Sequence, residues 1–539
     1  MQLTMQGLAN RVAWEAAGIR LPAYDIAAMR AATRQSPGWV HFGAGNIFRG
    51  FVAMVAQRLL DAGLTDTGII AAETFDTELV ARIYEPHDLL SLVVGLKADG
   101  GMECSVLASV AEALQTDDPA QLARLQAVFE APSLQMVSFT VTEKGYAIRD
   151  LQGNLTGAVA ADIAGGPEAP RHLMSRVASL LWARYRAGRA PVALVSMDNC
   201  SHNGEKLQTA VTAIADGWVR NGLVDEGFAA YLRDPARVSF PWTMIDKITP
   251  RPAEAVQKEL ERRGVEGMDP IVTGRGTYIA PFVNAEIPEY LVVEDAFPAA
   301  RPPLEKAGVY MADRDTVNRV ERMKVTTCLN PLHTALAVYG CLLGYTSIAE
   351  EMKDADLREL ARRIGVDEGL PVVTDPGILN PRDFLMEVLT QRLTNPFIPD
   401  TPQRIATDTS QKIPVRYGET LKAYAQNPAL RMDVLVAIPL ALAGWLRYLL
   451  AVDDTLAPFT PSADPLMETL TQALSGIRVG EPETARGKLE PILRNATLFG
   501  VDLAAVGLDT KVTALFAELI AGPGAVRATL RRHLHAAQG

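Results

Sequence analysis

Residues 39–63 read WVHFGAGNIFRGFVAMVAQRLLDAG, which is the pattern of a short strand, a glycine turn and a helix. After the turn, apolar side chains recur at helical spacing until Gly63. A second apolar run, Gly68–Ala72, ends at Glu73, so a complete βαβ unit fits between residues 39 and 73. This unit predicts the beginning of a parallel α/β sheet.

The same alternation continues through the first half of the chain. Runs rich in β-forming residues lie at Leu89–Gly95, Met136–Val141 and Val192–Met197, and a helical pattern lies at Leu173–Arg186. Strands that alternate with helices in this way favour a doubly wound, mostly parallel sheet.

The second half of the chain has a different pattern. A proline-rich stretch at Phe297–Leu304 predicts a linker, so we expect one domain over residues 1–299 and another over residues 300–539. Few strand candidates follow this stretch, and helical spacing is found in Thr316–Tyr345, Ala349–Ile364, Ala429–Ala451, Val512–Ile520 and Ala525–Ala537. The second domain is therefore expected to be mainly α-helical.

Length and composition limit the classes of protein to consider. A chain of 539 residues exceeds the roughly 250–300 residues at which single cores stop growing, so two cores are expected. The net charge of −11 argues against nucleic acid as a partner, since phosphate backbones need clustered cations. The four cysteines have no CxxC spacing, which predicts no zinc site and no disulfide framework and fits reduced thiols in the cytoplasm.

No segment predicts membrane insertion. The N-terminus lacks a basic region followed by an apolar run. The most apolar stretch, Val434–Leu450, contains Pro439, Gly444 and Arg447, so a buried helix is favoured over a membrane span.

The glycine turn is a candidate nucleotide site. Gly43 and Gly45 lie where a strand meets a helix, and glycine there lets a pyrophosphate approach the backbone and the helix N-terminus. The third glycine of the usual fingerprint is missing, because Phe48 stands at its position and the next glycine is Gly50. A glycine turn without a ligand is the alternative interpretation.

The acidic residues after the second strand bear on the choice of cofactor. Glu73, with Asp76 in reserve, can accept hydrogen bonds from the adenosine ribose hydroxyls, and a carboxylate there repels the extra phosphate of NADP. We therefore expect NAD. The alternative for either residue is a solvated carboxylate in a loop.

A second candidate site lies just after the linker, in the stretch Met323–His333 (MKVTTCLNPLH). Hydride transfer at a carbinol carbon needs a base for the hydroxyl proton, a donor for the developing alkoxide and a donor that orients the substrate. Lys324, Asn330 and His333 are of the right types, although the lysine serves as a base only if burial depresses its pKa. The structural alternative makes Lys324 a surface cation, Asn330 an N-cap and His333 a core histidine.

Six segments carry a resemblance to a known family, and they occur in the family's order across most of the chain. They are HFGAGNIFRGF at 41–51, VSFTVTEKGY at 137–146, VSMDNCSHNG at 195–204, FPWTMIDKITP at 240–250, MKVTTCLNPLHTALA at 323–337 and NPFIPDTPQRIATDTSQKIP at 395–414. The sequence resembles the mannitol dehydrogenase family of polyol-specific long-chain dehydrogenases, which includes mannitol 2-dehydrogenase, fructuronate reductase (mannonate oxidoreductase) and tagaturonate reductase. Six ordered segments are far more specific than one glycine motif.

The resemblance implies a role for each candidate residue. Lys324 is the general base, Asn330 and Asn199 hold the substrate oxygen, and His333 orients the substrate. Asp198 supports Asn199, and Glu321 relays the proton of the lysine to solvent. The remaining implied site residues are Arg404, Lys412 and Asp246 for the substrate, and Gly43, Gly45, Asn46 and Ile47 for the cofactor NAD.

The resemblance also implies the fold. It predicts an α/β Rossmann-type N-terminal domain, a mainly α-helical C-terminal domain like that of 6-phosphogluconate dehydrogenase, and an active site in the cleft between them. No metal ion is needed in this family, and its members are monomers or weak homo-oligomers.

Two departures from the family pattern stand out. Lys324 and Asn330 are six positions apart, whereas family members have five, so an extra residue must bulge or loop out if both side chains still converge. Lys247 replaces the usual arginine after Asp246, which removes a planar fork for a carboxylate.

The resemblance leaves the substrate open between a six-carbon sugar acid and a polyol. Mannonate differs from mannitol by a carboxylate at one end, so nearby cations decide, and the candidates are Arg404, Lys412, Arg416 and Arg251. The segments EYLVVED and TTCLNPLH resemble the sugar-acid branch of the family more closely, which favours D-mannonate/D-fructuronate as the substrate pair. The alternatives are a mannitol/fructose 2-dehydrogenase, a 6-phosphogluconate-type decarboxylating enzyme, for which no phosphate-binding cluster is found, and a non-catalytic NAD-binding sensor. Only the extra residue before Asn330 supports the sensor.

Overall fold

The computed structural model describes residues 1–150 and 152–535. The chain forms two compact units. The first comprises Met1–Lys97 and Gly101–Asn318, and the second comprises Ala98–Gly100 and the residues from Arg319 onward.

Strands are confined to the first unit within the described residues. They are β1 (Ile19–Arg20), β2 (Trp39–Phe42), β3 (Ile69–Glu73), β4 (Ser91–Leu96), β5 (Met102–Leu107), β6 (Val110–Gln115), β7 (Met136–Phe139), β8 (Val192–Ser196), β9 (Val238–Ser239), β10 (Thr243–Asp246), β11 (Ile271–Val272), β12 (Tyr278–Ile279), β13 (Phe282–Glu286), β14 (Tyr290–Glu294) and β15 (Tyr310–Ala312).

Six of these strands form a wholly parallel sheet in the order β6-β3-β2-β7-β8-β9. The first strand of this sheet along the chain is β2, which lies in its centre, with Trp39 opposite Ile69 of β3 on one side and Met136 of β7 on the other. Every residue of β2, β3, β7 and β8 is buried, as expected when both faces of a parallel sheet are covered. The doubly wound sheet predicted from the sequence is confirmed, and its switch point lies between β2 and β7.

The run Leu89–Gly95 forms a strand as predicted, but that strand does not join the parallel sheet. It is β4, which belongs to a mixed sheet in the order β1-β5-β4-β13. β4 pairs antiparallel with β5 and parallel with β13. A short connection joins β4 to β5, and only antiparallel neighbours can be joined so closely. The smaller sheets are β10-β14-β15 and the hairpin β11-β12.

The helices of the first unit cover the parallel sheet and fill the crossovers. They are α1 (Met5–Leu8), α2 (Arg11–Ala16), α3 (Ile26–Gln35), α4 (Ala53–Asp61), α5 (Pro119–Glu130), α6 (Thr142–Tyr146), α7 (Gly157–Gly165), α8 (Leu173–Arg186), α9 (Asn203–Arg220), α10 (Glu226–Arg233) and α11 (Glu254–Arg262). π-helical turns lie at Phe48–Val52 and Val80–Tyr84, and 3-10 turns at Glu85–His87 and Leu304–Ala307. α8 has the bounds that the sequence predicts.

The second unit is helical, as predicted. Its helices begin with α12 (Arg314–Met323), within which the boundary between the units falls, and continue with α13 (Asn330–Leu343), α14 (Ile348–Glu351), α15 (Ala355–Arg362), α16 (Pro381–Glu387), α17 (Pro402–Ile405), α18 (Thr409–Arg416), α19 (Gly418–Gln426), α20 (Ala437–Tyr448), α21 (Met467–Ala473), α22 (Glu490–Leu493), α23 (Ala496–Phe499), α24 (Asp509–Leu519) and α25 (Ala525–His535). π-helical turns lie at Lys324–Cys328, Arg363–Gly369 and Val388–Arg392, and 3-10 turns at Leu370–Val372, Met432–Val434 and Pro482–Ala485. Residues 536 and 537, the end of the last predicted helix, lie outside the described residues.

The first unit extends beyond the proline-rich stretch that suggests a boundary at 299/300. It ends at Asn318, because the chain after the prolines still adds β15 to the sheet of β10 and β14. Val292 of β14 lies opposite Tyr310 of β15 in parallel register. Strand pairing therefore keeps these residues with the first unit.

The helix predicted over Ala429–Ala451 begins later than expected. α20 starts at Ala437 because the carboxylate of Glu368 accepts hydrogen bonds from the amides of Val436, Ala437 and Ile438, at 2.6–2.8 Å. This side chain satisfies amides that a helix N-terminus leaves without partners, so it fixes where the helix begins. All twelve residues of α20 are buried. No helix among residues 1–150 and 152–535 is long and apolar enough to cross a membrane.

Candidate active site

The glycine turn joins β2 to the helix that follows it. Gly43 has φ +101°, and a Cβ added there would lie 2.3 Å from the carbonyl oxygen of Thr140, so only glycine fits. A Cβ added to Gly45 would meet no atom within 4 Å among the described residues. The protein itself therefore does not require glycine at Gly45, whereas a ligand that approaches the backbone closely does.

The missing third glycine has a structural replacement. Phe48 begins a π-helical turn, and its ring stacks on His41 with the centroids 4.4 Å apart. A Cβ added to Gly50 would lie 2.9 Å from Cγ2 of Thr249, so this glycine allows the close packing that the third glycine of the fingerprint usually permits. Arg49 donates from Nη2 to Oδ1 of Asn46 at 2.8 Å and holds that side chain beside the turn.

Glu73 ties the glycine turn to the end of β3. Its Oε2 accepts a hydrogen bond from the amide of Ala44 at 2.8 Å, and its Oε1 accepts bonds from the amides of Thr74, Phe75 and Asp76. The side chain is buried, so the alternative of a solvated loop carboxylate is wrong. One lone pair of Oε2 stays available, because a carboxylate has about four acceptor sites.

Asp76 is also buried, and its carboxylate is used within the protein. It accepts a hydrogen bond from Oγ1 of Thr273 at 2.6 Å, in the turn of the β11-β12 hairpin. For Asp76 too, the solvated alternative is wrong.

Asp198 and Asn199 follow β8, next to the loop that follows β7. The carboxylate of Asp198 accepts hydrogen bonds from the amides of Val141 and Thr142, each at 2.9 Å, and from the hydroxyl of Tyr146 at 2.5 Å. Burial raises the pKa of Asp198, although these donors oppose the rise. Thr142 has φ +63°, which is strained for a β-branched residue. Asp198 therefore fixes the two loops to each other at a strained position.

Asn199 itself is exposed, and its carboxamide makes no hydrogen bond to another described residue. The loop around it is anchored by Asn203, which donates from Nδ2 to the carbonyl oxygen of Asp198 at 3.0 Å and to Oγ1 of Thr243 at 2.9 Å. A free amide on an anchored loop is a preorganised donor.

Asp246, at the end of β10, is buried. The lysine that follows it, Lys247, pairs with Glu289 at 2.8 Å, and Glu289 also pairs with Arg58. Although burial opposes the change, these two cations lower the pKa of Glu289. The charge of Lys247 is thus neutralised within the first unit.

In the second unit, the six-residue spacing between Lys324 and Asn330 is accommodated by a π-helical turn. The amide of Leu329 donates to the carbonyl oxygen of Lys324 at 3.1 Å, a bond between residues five positions apart. A π turn takes up one extra residue without breaking the helix, and such turns are frequent at functional sites. The extra residue is taken up in this turn, which is one of the two arrangements, a bulge or a loop, that the sequence analysis allows.

The structural alternative for this stretch is wrong at each residue. Lys324 is only 5% exposed, so it is not a surface cation. Asn330 is the first residue of α13 and does not cap it, because the N-cap is Leu329. His333 is partly exposed, and its Nε2 lies 3.4 Å from Oδ2 of Asp400, so it is not a core histidine. The carboxamide of Asn330, like that of Asn199, makes no hydrogen bond to a described residue.

Comparison with known families identifies the fold that carries these residues. The model of the mannitol dehydrogenase Rossmann domain matches residues 37–306, and that of the mannitol dehydrogenase C-terminal domain matches residues 316–516. The chain belongs to the mannitol dehydrogenase family. The predictions of the family, of a Rossmann-type domain followed by a helical domain, and of an oxidoreductase are confirmed.

Individual proteins are similar to this chain over nearly its whole length. The D-mannonate oxidoreductase of Thermotoga maritima is 52% identical over 533 residues, which are 98% of each chain. A structure of D-sorbitol dehydrogenase in substrate-free form is 25% identical, with a TM-score of 0.77 over 95% of this chain and 97% of that one. The Pseudomonas fluorescens mannitol 2-dehydrogenase in a ternary complex with NAD and D-mannitol is 25% identical, with a TM-score of 0.69 over 99% of this chain and 100% of that one.

Three cations of this family member lie near one another in the second unit, on α17 and α18. Arg404 is largely exposed and pairs with Asp400. Burial tends to raise the pKa of Asp400, but His333 and Arg404 outweigh burial and lower this pKa. Lys412 donates to the carbonyl oxygens of Ile405 and Thr407. Its pKa is lowered by burial and by the charges of Arg416 and Arg404. These cations create a local positive field in an acidic chain.

The structure also places residues that the sequence analysis did not single out. Tyr146 lies in the matched segment VSFTVTEKGY, yet only the fold shows that its hydroxyl meets Asp198. Thr334 receives a hydrogen bond from Arg416 at 2.5 Å and donates to the carbonyl oxygen of Asn330 at 2.9 Å. No group of three or more potential metal ligands occurs in the part of the chain that the structure describes.

Proposed function

We propose that this chain is an NAD-dependent dehydrogenase that interconverts D-mannonate and D-fructuronate. The observation that carries the proposal is the 52% identity to the D-mannonate oxidoreductase of Thermotoga maritima, over 98% of both chains. The mannitol-bound relative is 25% identical, so mannitol/fructose is the second candidate pair. The cluster of Arg404, Lys412 and Arg416 favours the acid over the polyol, because an uncharged polyol offsets none of its charge.

The residues of the glycine turn fit a nicotinamide dinucleotide. The open space above Gly45 suits a pyrophosphate, and Gly43, Asn46 and Ile47 complete the turn. The negative charge of Glu73 next to this turn favours NAD over NADP. When bound, the nicotinamide supplies the hydride for ketone reduction and accepts it in alcohol oxidation.

The proposal assigns proton transfer to Lys324. A buried amine accepts the hydroxyl proton of the substrate during oxidation and returns it during reduction. The carboxamides of Asn330 and Asn199 donate hydrogen bonds to the substrate oxygen and stabilise its developing charge. His333, whose Nε2 lies 3.4 Å from Oδ2 of Asp400, orients the substrate, and Glu321 passes the proton of the lysine to solvent.

The features of the Lys324–Asn330 stretch do not favour the alternative hypothesis, a non-catalytic NAD-binding sensor. The sensor hypothesis rests on the extra residue before Asn330, and the π-helical turn accommodates that residue while Lys324 stays buried. Both asparagine carboxamides are free to act as donors. An enzyme explains these features and a sensor does not require them.

The remaining parts of the proposal concern the setting of the enzyme. We propose a cytoplasmic location, which is supported by four cysteines that form no disulfide. We also propose a monomer or a weak homo-oligomer that acts on a small sugar acid.

Steady-state rates with NADH test the substrate directly. We expect the highest kcat/KM with D-fructuronate, a lower value with D-tagaturonate and the lowest value with D-fructose. A preference for fructose would replace the proposal with the mannitol pair. Turnover with none of the three would refute the substrate class.

Asp198→Asn tests the positioning of Asn199. The amides of Val141 and Thr142 donate to different oxygens of Asp198, so an asparagine turns its NH2 group towards one of these two donors and the loop must shift. Loss of a charged hydrogen bond of roughly 1.5–3 kcal/mol predicts a kcat lower by about 10- to 150-fold. The Kd for NADH, measured by fluorescence, should change little.

The matched control for this variant is Glu205→Gln, which changes an exposed carboxylate on α9. It should leave kcat unaltered. A normal kcat in Asp198→Asn would show that Asp198 does not position Asn199.

A further inference from the structure

Arg416, at the end of α18, is a partly buried cation without an acidic partner among the described residues. Its Nη1 donates to Oγ1 of Thr334 at 2.5 Å and lies 3.5 Å from the carbonyl oxygen of Asn330. Burial lowers the pKa of this guanidinium to about 10. Burying a cation without a counter-charge is unfavourable, so a charged guanidinium at this position indicates that a negative ligand binds there.

The other cations of the cluster are better balanced. Arg404 is exposed and pairs with Asp400. Lys412 is bound by two carbonyl oxygens and has Asp408 nearby. Lys412 and Arg416 are also four positions apart on one helix, where like charges repel. Arg416 is therefore the member of the cluster whose charge most needs an anion.

The guanidinium is oriented with one edge free. Nη1 is occupied by Thr334, whereas Nε and Nη2 make no hydrogen bond to another described residue. Nε and Nη2 together form the edge of an arginine that grips both oxygens of a carboxylate. Because Nη1 is fixed next to the first turn of α13, the guanidinium group lies beside the helix end that carries Asn330 and His333.

We propose that Arg416 binds the carboxylate of the substrate through this free edge and thereby makes the enzyme prefer sugar acids over uncharged polyols and ketoses. The inference rests on the proposed function and adds the residue that distinguishes the acid from the polyol. Thr334 holds Nη1 and so sets the orientation of the fork.

Arg416→Met tests the inference, with kcat and KM measured separately for D-fructuronate and for D-fructose. Loss of a bidentate charged pair of roughly 1.5–3 kcal/mol predicts a KM for fructuronate that rises about 10- to 150-fold. We expect kcat and the values for fructose to change by less than about threefold, which is under 0.7 kcal/mol. Arg416→Lys keeps the charge without the fork, so its KM for fructuronate should lie between those of the other two forms.

Thr334→Val is a second test, because it removes the acceptor of Nη1 without removing the cation, and it should raise the KM for fructuronate while kcat stays close to that of the wild type. If Arg416 acted only by supporting the first turn of α13, both Arg416→Met and Thr334→Val would lower kcat with both substrates. The Kd for NADH and the melting temperature show whether each variant is folded, and Arg416→Lys serves if the methionine variant is not.

The outcomes separate the two proposals. If the wild-type enzyme turns over no sugar acid, the proposed function fails. If the wild-type enzyme is active on fructuronate and Arg416→Met keeps its KM, or loses fructose turnover equally, the role of Arg416 is wrong while the proposed function stands. A selective rise in KM for fructuronate supports the inference.

Discussion

Lys324→Ala should lower kcat for ketone reduction and alcohol oxidation by about 10²- to 10⁴-fold, the range typical of a lost general acid–base. The reason is that the proposal assigns the exchange of the proton of the substrate oxygen to this amine. The amine is buried on the π-helical turn, whereas the glycine turn that fits the cofactor lies in the first unit. The Kd for NADH, followed by fluorescence titration, should therefore be nearly unchanged.

Two further variants sharpen this experiment. Lys324→Arg keeps the positive charge but cannot deprotonate near neutral pH, so it should be as inactive as the alanine variant if the lysine acts as a base. Lys353→Ala removes an exposed lysine of the same unit, which pairs with Glu350, and should retain full activity. Turnover close to wild type in Lys324→Ala would remove this residue from the base role.

Glu351→Gln should stabilise the protein, and the gain should increase as the pH rises from 5 to 8. Glu351 is fully buried on α14, and neither carboxyl oxygen has a hydrogen-bond partner among the described residues. It is packed against α13 so closely that a Cβ added to Gly340 would lie 2.0 Å from its Oε1. Burial, together with the charge of Asp354, raises the pKa of Glu351 from 4.5 to about 9.

The direction of the effect follows from proton binding. Below the ordinary pKa of 4.5, both the folded and the unfolded chain carry the proton, and the stabilising effect of the raised pKa is complete. Between that value and about 9, only the folded chain keeps the proton, so each pH unit costs the folded state about 1.4 kcal/mol. Glutamine has nearly the same shape and does not ionise, so it should gain roughly 3 kcal/mol over the wild type at pH 7.

Urea unfolding of the full chain at pH 5, 6, 7 and 8 measures this difference. Glu350→Gln is the matched control, because Glu350 is the exposed neighbour and pairs with Lys353. Its effect should be small and should not grow with pH. A difference between Glu351→Gln and wild type that is the same at every pH would show that Glu351 ionises normally.

Sequence patterns predicted the parts of the fold that depend on local spacing. The glycine turn, α8 and the parallel sheet around β2 follow from periodicity and from residues whose backbone preferences are strong. The start of α20 could not be predicted in this way, because the amides at its first turn are bound by Glu368, about seventy residues earlier in the chain. The place of β4 in a separate mixed sheet likewise depends on its pairing with β13, which comes much later in the sequence.

The candidate site likewise has features that the sequence predicted and features that it did not. Lys324, Asn330 and His333 lie within ten positions, so the sequence alone showed their residue types and order. The six-residue spacing pointed to a bulge or a loop, and a π-helical turn takes up the extra residue. Their environment could not be read in this way. Whether Lys324 is buried and whether His333 meets Asp400 depend on residues brought together by packing.

By itself, the sequence determined the family, the order of the two folds and the residues that can perform the chemistry, because these depend on short patterns that survive without tertiary contacts. Only the tertiary structure decided which charges are neutralised. It paired Lys247 with Glu289 and Arg404 with Asp400, and it left Arg416 without an acid among the described residues. Burial and charge pairing arise between residues distant in sequence, and they set both the cost of an ion and its need for a ligand.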